Sequence, residues 1–236
     1  MTKSVLYRII YKNRILSDIK MKTDSLHPFE NIPYFTINGF KQAAGIESAH
    51  SARVQLHRWA QSGHILSLKR GVYMSRRFFD QHRRDGEFSA AISAIILPQS
   101  YVSLEYILQQ HNLLTEVTYP VTCVTTRNTR AITNPLGTFS YRNIRADLYS
   151  GFTIKDYLGL HYATASLAKA LFDSLYLRPI PPAYRSVKFN LPEELRLNLY
   201  EVDDASQMEF ASWVETSRSQ KMHAILKNFR SSAWRH

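Results

Sequence analysis

The sequence predicts an α+β chain of two domains, a basic one over residues 1–84 and a mixed α/β one over residues 85–236. Three observations carry that expectation. Residues 1–84 hold 15 Lys and Arg against 5 Asp and Glu, and residues 85–236 hold 15 against 14, so a net of +10 sits in the first third and +1 in the rest. The basic third contains, in order, a short helical pattern, a turn, a longer polar helical pattern and a hairpin pattern. The remainder alternates helical periods with β-branched runs, and a polar, basic stretch from Arg76 to Gly86 reads as the linker before it.

Within the basic third, Thr36 is a good N-cap for a short helix through Ala44, ended by Gly45, the residue best suited to a left-handed stop. Ser48 caps a second helix through Ser62, stopped by Gly63. Along it Ala52, Leu56, Trp59 and Ala60 recur at helical spacing, while Ser51, Arg53, Gln55, His57, Arg58 and Gln61 form the other face. His64 to Leu68 alternates as a strand, Lys69-Arg70-Gly71 makes a turn, and Val72 to Ser75 returns, with Gly71 supplying the positive φ of a tight hairpin. Upstream, part of the segment from about residue 4 to 22 reads as a first helix. Three helices and a basic hairpin make a winged helix-turn-helix pattern.

Charge confined to one end points to a polyanionic partner docking there, since neutralised phosphates release condensed counterions. The expected partner is double-stranded DNA. Helix 48–62 would enter a major groove, with Ser48, Ser51, Arg53, Gln55, His57 and Arg58 as candidate contacts. Lys69 and Arg70 would grip backbone or minor groove, and Arg76 and Arg77 would extend the basic surface. A solvated helix and an ordinary turn would explain each element singly; their order inside the charged region favours the DNA reading. A membrane surface is the weaker alternative for residues 4–22, because its charges do not segregate to one face.

In the second domain, helices are expected over Glu87–Leu97, Tyr101–Leu114 and Ala163–Leu177, strands over Val117–Thr126 and Gly137–Arg145, and further helices through Trp213 and from Ser217 to Phe229. Lys169 and Asp173 read as an i,i+4 pair on a helix face, and Asp203-Asp204 as a helix-start turn. Of Tyr101, Tyr106, Tyr119, Tyr141, Tyr157 and Tyr162, most are expected in the core.

Three stretches, in order, carry a resemblance. They are Leu56-His57-Arg58-Trp59-Ala60-Gln61-Ser62-Gly63-His64-Ile65 running into Leu68-Lys69-Arg70-Gly71-Val72-Tyr73; Pro98-Gln99-Ser100-Tyr101-Val102-Ser103-Leu104 through Leu108 to His111-Asn112-Leu113; and Ala163 through Asp173 to Leu175-Tyr176-Leu177. Over residues about 36–178 the chain resembles the AbiEi family, antitoxins of bacterial abortive-infection toxin–antitoxin systems, also described as predicted transcriptional regulators of viral defence. The resemblance implies a winged-helix domain that represses the promoter of its own operon. It also implies a C-terminal domain that opposes a nucleotidyltransferase-like toxin encoded beside it.

Other chemistry finds little support. Cys123, the single cysteine, lies in an apolar run and reads as a buried residue, which excludes an internal disulfide and a thiolate-rich zinc site. The nine histidines show no H-x-x-x-H spacing, and no G-x-S-x-G elbow or G-x-x-x-x-G-K-[ST] loop occurs. No catalytic residue, metal or cofactor is expected. The alternative from the enzyme class is a winged-helix-targeted, metal-dependent nuclease using Asp147 with Asp156, or Lys155-Asp156; a further one is a plain regulator whose second domain senses a ligand or dimerises. Residues 88–104, the longest uncharged run, are too short and too polar to span a bilayer. The first residues lack the pattern of a secretion signal, so a cytoplasmic protein is expected.

Overall fold

The computed structural model describes residues 25–114, 120–186 and 188–234. The expected helix near residues 4–22, the first residues of the expected strand at 117–126, and Tyr119 lie outside that range. The chain is mixed α+β and divides into two compact units, Met1–Asp85 and Gly86–His236.

In the first unit a two-residue strand, β1 (Phe35–Thr36), leads into helix α1 (Ile37–Ala43). Thr36 caps α1, its Oγ1 accepting from the Gly39 N–H at 3.1 Å, and Gly45 takes φ +62° just beyond the helix. Helix α2 (Ala49–Gln61) starts in the same way, with Ser48 Oγ accepting from the Ser51 N–H at 3.3 Å. It ends in a Schellman pair: the His64 N–H donates to Trp59 C=O at 2.9 Å and the Gly63 N–H to Ala60 C=O at 3.2 Å, with Gly63 at φ +78°.

Strands β2 (Ile65–Lys69) and β3 (Val72–Ser75) then form an antiparallel hairpin, and β1 adds to it in the order β1-β3-β2. A bulge at Leu68 shifts the register before the Arg70-Gly71 turn. The core of this unit is Leu26, Phe29, Phe35, Phe40, Ala52, Leu56, Trp59 and Ile65. Phe40 meets the Trp59 ring edge-on at 5.1 Å, and each such fully buried side chain stabilises by about 1.5–3 kcal/mol.

The stretch from Arg76, expected as linker, is helical in its first half. Ser75 Oγ accepts from the Phe78 N–H at 3.0 Å and starts α3 (Arg76–His82), which buries Phe78. A cap and one apolar anchor suffice for a short helix that composition alone reads as polar.

The second unit is built on a six-stranded mixed sheet in the order β6-β7-β5-β4-β9-β8. Its strands are β4 (Ser100–Val102), β5 (Val121–Thr125), β6 (Arg130–Asn134), β7 (Gly137–Asn143), β8 (Phe152–Tyr157) and β9 (Leu160–Ala165). Pairs β4–β9 and β5–β7 are parallel and the rest antiparallel.

Strand alternation assigns the two faces. Tyr141 Oη donates to Ser93 C=O at 2.9 Å in α4 (Phe88–Ile96), which covers one face; the next residue, Arg142, donates to Leu177 C=O at 3.2 Å at the end of α6 (Leu167–Leu177), on the other. Helix α5 (Glu105–Gln110) packs against β5 and α6. A single turn, α7 (Leu191–Glu194), precedes α8 (Asp204–Ser217) and α9 (Gln220–Ser232), which pack on each other and on α6. Asp203 caps α8, accepting from the Ser206 N–H at 2.8 Å. Tyr101, Tyr141 and Tyr162 are buried, Tyr106 and Tyr157 half-buried.

Two helix expectations are corrected. The segment expected as a helix from Tyr101 starts as strand β4, and the helix α5 spans Glu105–Gln110 only. The helix expected from Ala163 begins at Leu167, because residues 160–165 pair with β8 and β4. In both places an apolar run of strand length adjoins a helix, and hydrogen bonds to distant strands decide between the two states. Among the described residues no helix is long and apolar enough to cross a membrane.

Candidate nucleic-acid interface

From Ser48 to Phe79 the sequence carries six Lys and Arg, three His and no carboxylate. That run is α2, the hairpin and the first half of α3. The apolar stripe of α2 is consumed by the core: Ala52 and Leu56 are wholly buried and Trp59 is 5% exposed. The polar residues are what remains outward, with Ser48, Ser51, Arg53, His57 and Arg58 exposed and Gln55 half-buried. At about 100° per residue, Arg53 and His57 lie on one outward flank and Ser51, Gln55 and Arg58 on the other. The helix therefore brings together five of the expected contact residues.

Lys69 and Arg70 stand at the far end of the hairpin, about 13 Å along β2 from Ile65 where the strand leaves α2. The tip is tied to the start of α1, whose Ile37 N–H donates to Gly71 C=O at 3.2 Å. Arg70 is exposed; Lys69 is half-buried, and burial lowers its pKa below the ordinary lysine range. Arg76 and Arg77 differ from the others. Arg76 Nε meets Asp80 Oδ2 at 3.1 Å and Arg77 Nη1 meets Glu30 Oε2 at 2.9 Å, so a carboxylate already shares each charge. Among the described residues, Arg53, Arg58 and Arg70 have no such pairing. His50 is also exposed, in the first turn of α2 and in line with Arg53 and His57. Its seven-residue spacing to His57 is the signal that marks it.

The second unit holds its most unusual polar group in the interior. Lys169 and Asp173, expected on a helix face, are both wholly buried. Helix α6 lies between the sheet and the α8–α9 pair, so no side of it near these residues reaches solvent. The Lys169 ammonium bonds Asp173 Oδ1 and donates to Tyr101 Oη at 3.0 Å; Tyr101 Oη and Ser103 Oγ each donate to Asp173 Oδ2 at 2.8 Å. The rings of Tyr101, Phe172 and Trp213 surround the ammonium at 5.0–5.4 Å. Burial lowers the Lys169 pKa and raises that of Asp173, each opposed by the partner's charge.

Next to this group Ser166 caps α6 and donates to Glu209 Oε1 at 2.6 Å, which also accepts from Trp213 Nε1 at 3.1 Å. At the other end of α6, Lys221 Nζ donates to Leu175 C=O at 2.9 Å and Arg178 C=O at 3.1 Å, a cation where the helix dipole favours one. Tyr101, Ser103, Lys169 and Asp173 are among the residues that carry the second and third stretches of resemblance. Their chemistry here is that of a tie between strand β4 and helix α6.

The remaining candidates are dispersed. Asp147 is held bidentately by Arg145 at 2.9–3.0 Å, and Asp156 faces His161 at 3.2 Å across the β8–β9 turn; Lys155 lies 3.9 Å from Glu87. No group of three or more His, Cys, Asp or Glu suited to a metal ion occurs among the described residues. Cys123 is wholly buried, and burial pushes its thiol up to about 12. No family model matches the chain, and no curated protein matches it in sequence.

Proposed function

We propose that the chain is a DNA-binding transcriptional repressor and antitoxin, autoregulating its operon and counteracting a nucleotidyltransferase-like toxin. The first unit is a winged helix-turn-helix in which α1 and α2 are the paired helices and the β2–β3 hairpin is the wing. One observation supports it above the others: a helix whose apolar stripe is spent in the core turns Ser51, Arg53, Gln55, His57 and Arg58 outward, inside a run of 32 residues without a carboxylate. Arg is suited to bidentate contact with guanine and Gln with adenine, and Ser and His to phosphate or base edges. The exposed, unpaired charges of Arg58, Arg53 and Arg70 are the main phosphate or base contacts; Arg76 and Arg77 contribute less. The operator in its own promoter, the toxin and a cytoplasmic place of action follow from the resemblance to the AbiEi family.

Binding to the duplex upstream of the gene, competed by unrelated duplex, tests the reading. Replacing Lys69 and Arg70 with alanine weakens binding to every sequence and lowers the salt slope by about 1 per lost phosphate contact. An unchanged slope defeats the docking described. Growth rescue on co-expression with the neighbouring gene product tests the antitoxin role, and failure of rescue leaves a plain regulator.

A further inference from the structure

A cleft of about 210 Å³ opens in the second unit where one face of the sheet meets the start of α5 and the end of α6. Three elements bring polar side chains to it. From the sheet come Thr122 and Ser140, opposite each other in the parallel β5–β7 pairing, and Arg142, two residues beyond Ser140 on the same face. Glu105 comes from the first residue of α5, and Ser174 and Arg178 from the last turn of α6 and the residue that follows it.

The walls of the cleft are held from behind. Arg142 Nη2 donates to Leu177 C=O at 3.2 Å, and Lys221 Nζ takes the carbonyls of Leu175, Tyr176 and Arg178, so cations hold the end of α6 in place. On the α5 side, Leu104 has φ +61° and ψ −145°, a backbone state that residues with a Cβ rarely adopt and that persists only where its surroundings over-determine it. Its neighbours do so. Ser103 Oγ is tied to Asp173, the Ser103 N–H donates to Thr122 C=O at 3.1 Å, and Thr122 Oγ1 donates to Ser103 C=O at 2.7 Å. The buried Lys169–Asp173 group thus fixes the corner that sets Glu105 against Ser174.

We propose that this cleft binds a small phosphorylated sugar, its phosphate on Arg142 and Arg178 and its hydroxyls on Glu105 and Ser140. The inference is independent of the DNA-binding reading above.

The chemistry of the lining selects this ligand. Among the described residues the Arg142 guanidinium spends one of its five N–H donors, on Leu177, and Arg178 is exposed; such groups take phosphate oxygens in pairs. Glu105 Oε1 accepts from Ser174 Oγ at 3.2 Å, which leaves Oε2 for a hydroxyl donor of the ligand. A carboxylate in the same cleft repels an anion placed beside it. The favoured ligand therefore carries its charge at one end and hydroxyls at the other. The Ser140 and Ser174 hydroxyls both donate and accept, as a sugar does. The volume is that of about seven waters at liquid density, which suits a pentose phosphate and not a dinucleotide.

The test is isothermal titration of the full chain at about 0.15 M salt with ribose 5-phosphate, ribose, inorganic phosphate and aspartate as probes. Ribose 5-phosphate is expected to bind with a Kd of about 1 mM or tighter, inorganic phosphate at least about fivefold more weakly, and ribose and aspartate not measurably. Arg178→Gln is expected to raise the ribose 5-phosphate Kd about tenfold, and Arg142→Gln/Arg178→Gln to abolish measurable binding. Both positions are exposed, and circular dichroism checks that the variants fold. Wild type that fails to bind ribose 5-phosphate at about 10 mM overturns the inference. So does a folded double variant that keeps the wild-type affinity, which puts the phosphate on another basic surface. Inorganic phosphate bound as tightly as the sugar ester overturns it in favour of a bare-anion site, and aspartate bound more tightly overturns it in favour of an amino acid.

Discussion

Replacing Lys169 with methionine removes one charge of a wholly buried pair and leaves the other without a counter-ion. Asp173 keeps the Tyr101 and Ser103 hydroxyls, both at 2.8 Å, but those are neutral donors. Breaking a buried pair in this way costs about 3–5 kcal/mol. For a unit of about 150 residues, at 2–4 °C per kcal/mol, the melting transition falls by roughly 6–20 °C. The loss depends on pH. An Asp173 carboxyl whose pKa burial raises binds a proton more readily folded than unfolded, so the deficit is largest near pH 8 and shrinks as pH falls. Asp173→Asn has the opposite signature: the stranded Lys169 amine, its pKa lowered by burial, loses its proton more readily folded, so the deficit shrinks as pH rises. The double variant Lys169→Met/Asp173→Asn removes both charges and keeps an acceptor for the two hydroxyls. It should cost about 2 kcal/mol less than the sum of the singles. Urea titrations followed by tryptophan emission in a Trp59→Phe background report on the second unit through Trp213 and Trp234. Single substitutions costing under about 1 kcal/mol at pH 8, or pH trends of the same sign, would refute the reasoning.

Three further outcomes are expected. Gly151 has φ +77° and an added Cβ would lie 2.4 Å from Trp213 Cζ2, whereas Gly159 has φ +78° and open space; Gly151→Ala should cost about 2–5 kcal/mol and Gly159→Ala about 1–2, and equal thermal shifts would contradict the packing. Cys123, its thiol pushed up to about 12, should not react with a thiol reagent at pH 8 until the second unit is unfolded; a fast reaction of the native chain counts against its burial. Arg77→Ala should weaken duplex binding less than Arg58→Ala, because Glu30 already shares the Arg77 charge at 2.9 Å, and equal losses measured at one salt concentration would oppose that ranking.

Signals confined to a few neighbouring residues were legible directly. Thr36, Ser48 and Asp203 cap helices through bonds to backbone three residues on, and Gly45, Gly63 and Gly71 take the left-handed conformations that stops and tight turns require. The outward face of α2 was legible for the same reason, since a helix that spends Ala52, Leu56 and Trp59 on its core must turn Arg53 and Arg58 away from it.

Elements that exist only through distant partners were not legible. The two residues of β1 are a strand because they pair with Tyr73 and Val72, and β4 and the end of β9 are strands because Tyr101 and Val102 pair with Ala163 and Thr164 across some 60 positions of chain. The same holds for charge. Lys169 and Asp173 stand four apart, which suits an exposed helix face, yet α6 is enclosed by the sheet on one side and by α8 and α9 on the other. The available hint was a helix apolar nearly all round, whose few charges must then find each other. By itself the sequence determined the caps, the turns and which face of each amphipathic helix is polar, since those depend on neighbours within one or two turns. Tertiary structure decided strand against helix at the apolar runs, the pairing of Arg77 with Glu30, and the burial of the Lys169–Asp173 pair, because each depends on what a remote segment brings alongside.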